Sequence, residues 1–334
     1  MPIRPFQMPA DFDVLQAVIP PAFQYPENPE WSLRTDELED IDEQFKNMQR
    51  MWPLLRLVMF AWPPLRDAML GFIWEEDGQP VGTINVVRQG ASQTWMIGNV
   101  AVLPAYRRRG IARQLVQASI DLARARGSEQ IILDVLSGNV PAYSLYTSLG
   151  FEHYSGVLEF ERQADTPIPE PAPLPAGYAL APHNRAHWQA RYGLMQRAMP
   201  EAVQRYQPIT EARYRVPGWL RPVSRLFDRI SGTRSTNWAV RVDGTDAAPA
   251  LGTTHMRQRK GGTNRISLEL DPAHPDLAYP VLVHLLREVQ QNSPGRRIEF
   301  EVPAWMPVVV EAAAATSCER RFEMHRLGLL LKES

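Results

Sequence analysis

Several large classes of protein are excluded by what this chain has little of. Its 334 residues contain one cysteine, Cys318. No intrachain disulfide can form, and a cysteine-rich zinc site is out of reach. A reducing cytoplasm is the simplest expected setting. Lysine is scarce, at positions 46, 260 and 332 only, and the formal net charge is -1. A general nucleic-acid binder would be distinctly basic, so no nucleic-acid partner is expected. The longest apolar stretch, Met51 to Leu65, contains Arg56 and is broken by Pro53, Pro63 and Pro64. It is too short and too interrupted to span a bilayer, and it predicts an amphipathic surface helix or lid instead. The opening Met-Pro-Ile-Arg-Pro-Phe lacks the apolar core of a secretory leader. There is no Walker-type Gly-Lys-Ser/Thr and no triple-glycine dinucleotide fingerprint. His183, His187, His255, His274, His284 and His325 are scattered, without the paired spacing of a metal site. No metal is expected.

What is present divides in two. Between Gln163 and Gly177, prolines stand at 167, 169, 171, 173 and 175. That alternation cannot form a helix or a central strand and favours an extended, semi-rigid spacer. The expected layout is a domain over 1–163, a linker over 164–176 and a second domain over 177–334. In the first half, Ile3 to Phe6 predicts a strand and Asp36 to Met51 a polar helix. Leu70–Glu76 and Val81–Arg88 predict a hairpin about Asp77-Gly78, and Thr94–Leu103 a third long strand. Gly110 to Arg126 is a helix by the spacing of Ile111, Leu115, Ala118 and Leu122, with Gly127 as its stop. A buried strand over Gln130–Leu136, a short helix over Val140–Leu149 and a strand over Phe151–Glu161 follow. The second half repeats this plan, from a strand at Tyr178–Pro182 to a closing strand at Phe322–Leu330. Val102-Leu103-Pro104 superposes on Leu270-Asp271-Pro272, as expected of a tandem duplication.

The junction after the third strand carries chemistry. Pro104 ends the strand, and Tyr106-Arg107-Arg108-Arg109-Gly110-Ile111-Ala112 runs straight into the amphipathic helix. The first turn of a helix leaves N–H groups unpaired and carries partial positive charge, which makes an anion site. Gly110 and the small Ala112 let a phosphate approach the backbone. Taken alone, the same run also reads as a solvated basic helix start.

The wider pattern goes further. Val100-Ala101-Val102-Leu103-Pro104 through Ala112 resembles motif A of the GNAT acetyltransferases, whose Arg/Gln-x-x-Gly-x-Gly/Ala signature is met by Arg107, Gly110 and Ala112. Asn139, Ala142, Leu145-Tyr146 and Leu149-Gly150-Phe151 resemble motif B, in order and at the expected distance. The resemblance covers about residues 70 to 160 well. It implies an α/β (α+β) fold of two GNAT-like domains, each a mixed, mostly antiparallel twisted sheet with helices on both faces. It also implies acetyl-CoA as cosubstrate, lying between two splayed strands. The backbone at Val100, Ala101 and Val102 would pair with the pantetheine arm. Arg107 and the segment Arg108, Arg109, Gly110, Ile111, Ala112 and Arg113 would hold the pyrophosphate. Asn139 would meet the pantetheine or the start of the short helix.

The implied reaction is attack of a primary amine of a small molecule or peptide on the thioester. An amine of pKa near 10.4 is mostly protonated at neutral pH, so a base or a water chain is useful. A strand N–H can stabilise the oxyanion. Tyr146 stands where the family often places the acid for the departing thiolate, and Tyr143 is the fallback. Asp134 lies where part of the family has a glutamate base; its shorter side chain also suits a hydrogen-bonded strand carboxylate. Glu75 and Glu76 are further base candidates, and Asn99 a polarising group. Trp31, Trp52, Phe60 and Trp62 are either core or the wall of an acceptor pocket.

Nα-acetylation of a protein terminus and CoA binding without catalysis stay open as alternatives. Superposing the repeats puts Ala278 at Gly110, Pro280 at Ala112, Pro275-Asp276-Leu277 at the arginine run and Ala313 near Tyr146. The second copy is therefore expected to be GNAT-like in fold but unable to bind CoA in the usual manner. Covering a sheet edge, shaping the acceptor pocket and homodimerisation are its candidate roles.

Overall fold

The computed structural model describes residues 2–61, 70–184, 188–215, 218, 221–243, 248–258 and 262–332. Trp62, Pro63, Pro64, His187 and Lys260 lie outside the described residues. By compactness the chain forms two units. Unit 1 comprises Met1–Tyr154, Arg205–Pro208 and His325–Ser334; unit 2 comprises Ser155–Gln204 and Ile209–Met324. This division departs from the proline-marked one, because the extended proline segment belongs to unit 2 and the chain's last residues belong to unit 1.

In unit 1, β1 (Ile3–Pro5) is followed by α1 (Phe12–Ala22), α2 (Thr35–Ala61), β2 (Leu70–Glu76), β3 (Gln79–Arg88) and β4 (Thr94–Val102). Then come α3 (Ile111–Ala125), β5 (Gln130–Leu136), α4 (Val140–Thr147) and the start of β6 (Glu152–Arg162). The strands lie in the order β1-β2-β3-β4-β5, and β5 is flanked by β12 (Glu319–Leu330), which unit 1 owns from His325 onward. The β2–β3 turn places Asp77 and Gly78 at φ +51° and +76°, the left-handed pair that suits a tight hairpin.

Two cores sandwich this sheet. On one face the apolar stripe of α3 (Ile111, Leu115, Val116, Ile120, Ala123) packs on Ile84, Val86, Trp95 and Ile131. On the other, Phe12, Leu15, Val18 and Ile19 of α1 pack with Ile73 and Ala101, backed by Phe45, Met48 and Trp52 of α2. The sequence reading did not foresee α1, because Pro20-Pro21 argue against a helix; they fall in its last turn. α2 runs on through Pro53 to Ala61, joining the polar helix and the apolar stretch into one element.

In unit 2, β7 (Tyr178–Pro182), α5 (Trp188–Ala198), α6 (Glu201–Gln204), α7 (Glu211–Tyr214) and α8 (Arg221–Ser231) precede the meander β8 (Thr233–Val242), β9 (Ala250–Arg257) and β10 (Asn264–Leu270). α9 (Ala278–Asn292), β11 (Ile298–Pro303), α10 (Pro307–Ala315) and β12 complete it. The order β7-β8-β9-β10-β11 repeats that of β1 to β5, and β11 is flanked by β6 in antiparallel register from Ile298↔Arg162 to Pro303↔Val157. Each unit thus takes the strand beside its fifth strand from the other half of the sequence. α6, α7 and α8 were not foreseen; the two of four residues are too short to show periodicity.

Candidate functional site

The site of unit 1 grows from a defect in β4. The β3–β4 register shifts between Thr83 and Asn85, and Asn99 holds φ +50°. One extra residue in β4 is a bulge, and asparagine tolerates the left-handed conformation better than most. The bulge reverses which residues face α3. Before it, Trp95 and Ile97 pack on the α3 side; after it, Val100 and Val102 do, and Ala101 turns to the α1 core. Parallel pairing with β5 covers only Thr94–Ile97 against Gln130–Leu133. Beyond Ile97 the two strands part. Leu103 N–H still donates to Val81 O (2.9 Å), so Leu103 and Ala101 turn their backbone to β3. By alternation Val100 and Val102 turn theirs into the gap.

The loop from β4 to α3 is exposed at Arg107, Arg108, Arg109 and Gly110. Arg108 and Gly110 both have left-handed backbone, at φ +65° and +78°. For Arg108 this conformation carries strain, which persists only where surrounding structure enforces it. Alternating hands of this kind turn successive N–H groups to one side, as in anion-binding nests. The first backbone bond of α3 is Gln114 N–H to Gly110 O (3.2 Å). The amides of Ile111, Ala112 and Arg113 therefore precede the ladder, and no side chain caps them. A Cβ at Gly110 would meet nothing within 4 Å, so the approach to the backbone at Gly110 is open. A pyrophosphate fits this set: converging donors, open approach and nearby cationic side chains.

The arginines are not equivalent. Arg107 donates from Nη2 to Ala22 O (2.9 Å) and from Nε to Val102 O (3.3 Å), and lies over the Tyr25 ring at 5.8 Å. It ties the end of α1 to the loop. Arg109 pairs with Glu76 (3.0 Å) and lies over Tyr106. Arg113 donates to Ser148 Oγ (2.7 Å) at the end of α4. Arg108 makes no hydrogen bond or ion pair with a described residue, and its guanidinium is the one left for an added anion.

Tyr146 on α4 is only 6% exposed and stacks edge-on with Phe151. Burial first, and the neighbouring Tyr25 second, push its hydroxyl well above the ordinary phenol value. Tyr25 is raised too, by burial, with Arg107 opposing. Tyr25 was missed by sequence reasoning; the only signal was an aromatic in the turn-rich Gln24-Tyr25-Pro26-Glu27-Asn28-Pro29. It also packs edge-on with Trp31 at 5.9 Å. Trp31 in turn reaches Gly138, where a Cβ would lie 2.3 Å from Trp31 Cζ2. The start of α4 is set by Asn139, whose Oδ1 accepts from Ala142 N–H (3.2 Å).

The remaining candidates are separated. Asp134 Oδ1 accepts from Arg326 Nε (3.2 Å), a residue of the strand that completes unit 1 from the chain's far end. Glu75 is held by Arg4 (2.8 Å) and Glu76 by Arg109. Asn99 Nδ2 points to Asn85 Oδ1 (3.4 Å). Tyr143 faces the rings of His153 and His325. Trp52 is part of the α1 core, edge-on to Phe12, and Phe60 is 76% exposed, so Trp31, Trp52 and Phe60 do not form one wall. No group of three or more metal-ligating side chains occurs among the described residues. No helix among them is long and apolar enough to cross a membrane.

A mixed sheet whose bulged fourth strand splays from the fifth thus stands above a helix start with no side-chain cap. Residues 34–151 match the family model described as "Acetyltransferase (GNAT) family", and the chain carries a GNAT acetyltransferase domain. It is 35% identical to mycothiol acetyltransferase of Corynebacterium glutamicum over 97 residues, 29% of this chain and 32% of that protein. It is 35% identical to N-alpha-acetyltransferase 30 of Schizosaccharomyces pombe over 74 residues, 22% of this chain and 49% of that protein. The chain thus spans from a third to half of the length of these two relatives. Over 99% of both chains it shares the fold of a tandem GNAT protein from the clavulanic acid biosynthesis pathway (TM-score 0.62, 17% identity). It also shares the fold of a GCN5-related N-acetyltransferase from Sphaerobacter thermophilus (TM-score 0.63, 13% identity), over 99% of this chain and 96% of that one.

Proposed function

We propose that unit 1 is an acetyl-CoA-dependent N-acetyltransferase that moves the acetyl group to a primary amine of a small molecule or peptide, by direct attack in a ternary complex. The observation that carries this reading is the conjunction of the β4 splay with the left-handed turn at Arg108 and Gly110. Acetyl-CoA supplies the activated thioester. The amides of Ile111, Ala112 and Arg113, with Arg108, hold its pyrophosphate. Val100 and Val102 pair with its pantetheine arm through the backbone, as a further strand would. A free N–H on this edge stabilises negative charge on the thioester oxygen. Tyr146 keeps its proton because it is buried, and gives it to the departing thiolate. Asp134 is engaged by Arg326, so proton removal from the amine falls to water in the gap, with Asp134 as a positioning group.

A second reading, Nα-acetylation of a protein terminus, is favoured by the similarity to N-alpha-acetyltransferase 30. Calorimetry with acetyl-CoA tests the common core of both. One site per chain, lost in Gly110→Trp, supports it; absence of binding to the wild type overturns it. Release of free CoA, followed with a panel of small amines and a panel of short peptides, then separates the two acceptors. Binding without turnover on any amine would leave a non-catalytic CoA-binding protein.

A further inference from the structure

A cavity of about 450 Å3 lies in unit 2, between the proline-rich strap and α9. The strap is held at two points. Arg162, itself buried, donates to the carbonyls of Thr166 (3.2 Å) and Pro167, and Arg287 Nη1 donates to Pro169 O (3.0 Å). Pro171 and Ala172 of the strap line the cavity, with Pro280 and Val283 of α9 and Trp238 of β8. Proline suits such a wall: it has no N–H to satisfy and a stiff, extended backbone that resists collapse into the space. The Trp238 ring is set edge-on by His284, ring centroids 4.5 Å apart, and His284 Nε2 is sealed inside the protein.

Two charged side chains line the same cavity, Arg287 and Glu288. They are neighbours on α9, yet they form no ion pair with each other or with another described residue. Glu288 accepts only from neutral donors, Trp238 Nε1 (2.6 Å) at one oxygen and Thr236 Oγ1 (2.8 Å) at the other. Arg287 gives Nη1 to a neutral carbonyl. Its Nε and Nη2, which share one edge of the guanidinium, have no partner among the described residues and are not shut off from solvent. One turn further along α9, the exposed Gln291 also lines the cavity, and its amide makes no hydrogen bond to a described residue. A half-buried charge answered only by neutral groups gains from a counter-charge, because direct attraction then offsets its lost hydration. The lining thus presents one unpaired cation and one unpaired anion beside an apolar wall.

We propose that this cavity binds a free amino acid with a large apolar side chain. Its carboxylate lies on the Nε–Nη2 edge of Arg287 and the Gln291 amide, its ammonium on Glu288, and its side chain against Pro171, Pro280 and Trp238. The two carboxylate oxygens match the two N–H groups of that edge. Each Glu288 oxygen keeps a second lone pair for an ammonium N–H. A zwitterion answers both charges at once. A plain carboxylate would leave Glu288 as a nearby like charge, and a plain amine would do the same with Arg287. The volume lies within the range of about 300–1,000 Å3 usual for small-molecule sites. The site is independent of the acetyl-transfer reading.

The test is calorimetry on the full chain with three probes: L-phenylalanine, 3-phenylpropionate, which lacks the ammonium, and phenethylamine, which lacks the carboxylate. The wild type is expected to bind phenylalanine at one site and each of the others about tenfold or more weakly, the worth of one charged hydrogen-bonded contact. Glu288→Gln should abolish the preference over 3-phenylpropionate and keep that over phenethylamine. Arg287→Gln should do the reverse. Gln291→Ala, at an exposed position away from the strap, serves if those variants do not fold: it should weaken phenylalanine and 3-phenylpropionate a few-fold and leave phenethylamine unchanged. Equal binding of the three probes by wild type, preferences that survive in the variants, or no binding of phenylalanine at millimolar concentration would overturn the proposal.

Discussion

Units 1 and 2 share a sheet order, a central helix after the fourth strand and early parting of the fourth and fifth strands, yet among the described residues they differ in the turn that leads into that helix. In unit 2 the parallel pairing is limited to Asn264↔Ile298 and Arg265↔Glu299, so the splay is common to both. The turn is not. β10 runs in unbroken register with β9 from Arg265 to Leu270, without a bulge. Leu277 and Ala278 hold ordinary right-handed backbone and are buried. Pro280, in the first turn of α9, has no N–H to offer. In unit 1 the same place is exposed, left-handed at two positions and uncapped. The two units share the gap and differ in a few backbone angles at its mouth, and on the function proposed above those angles set which unit binds acetyl-CoA.

The comparison can be broken most severely by cutting the chain at the proline-rich segment. Residues 1–163 lack the strand from His325 that flanks β5, which leaves a buried, apolar strand as an open edge. That fragment is expected to aggregate or to melt without a cooperative transition, as followed by circular dichroism. A folded, active fragment would show that unit 1 stands without the strand from the chain's far end.

Next in size is Tyr146→Phe. Loss of the acid should lower kcat by roughly a hundredfold or more while acetyl-CoA affinity stays within about threefold. Because burial raises the Tyr146 pKa, the proton stays on, and any alkaline fall in wild-type kcat from this group should begin above the ordinary phenol value of about 10. A fall centred well below that would assign the limb to another residue.

Gly110→Ala is a finer probe of the turn than a bulky substitution. The added Cβ enters open space, so the cost is the φ of +78° alone, about 1–2 kcal/mol, or roughly tenfold in acetyl-CoA affinity by calorimetry. The Asp134–Arg326 pair separates positioning from base catalysis. Asp134→Asn should lower kcat less than about tenfold if the carboxylate positions, since a missing base costs about 100-fold or more. The smallest effect is expected from Pro280→Ala in unit 2. Restoring one N–H without the left-handed turn should leave calorimetric stoichiometry at one site per chain; two sites would show that proline alone silenced the second copy.

Much of this was open to reading along the chain. The helix of Ile111, Leu115 and Ile120, the hairpin at Asp77-Gly78 and the repeat of the meander rest on periods and turn residues that act locally. The same locality placed Gly110 at the head of α3 and Asn139 at the head of α4. Long-range choices were silent. That Tyr25 would lie beside Tyr146, that Arg107 would bind Ala22 O rather than project free, and that Asp134 would be claimed by Arg326 depend on residues far apart in sequence. The exchange of final strands was equally invisible, because both β6 and β12 carry strand patterns that fit either partner. Local sequence by itself determined which segments are strands and helices and where an anion could meet a helix start. Only tertiary structure decided which strands pair, which arginine stays available and which carboxylate is already taken. Those outcomes follow from pairing and burial across the whole chain, and a short stretch of residues carries no record of them.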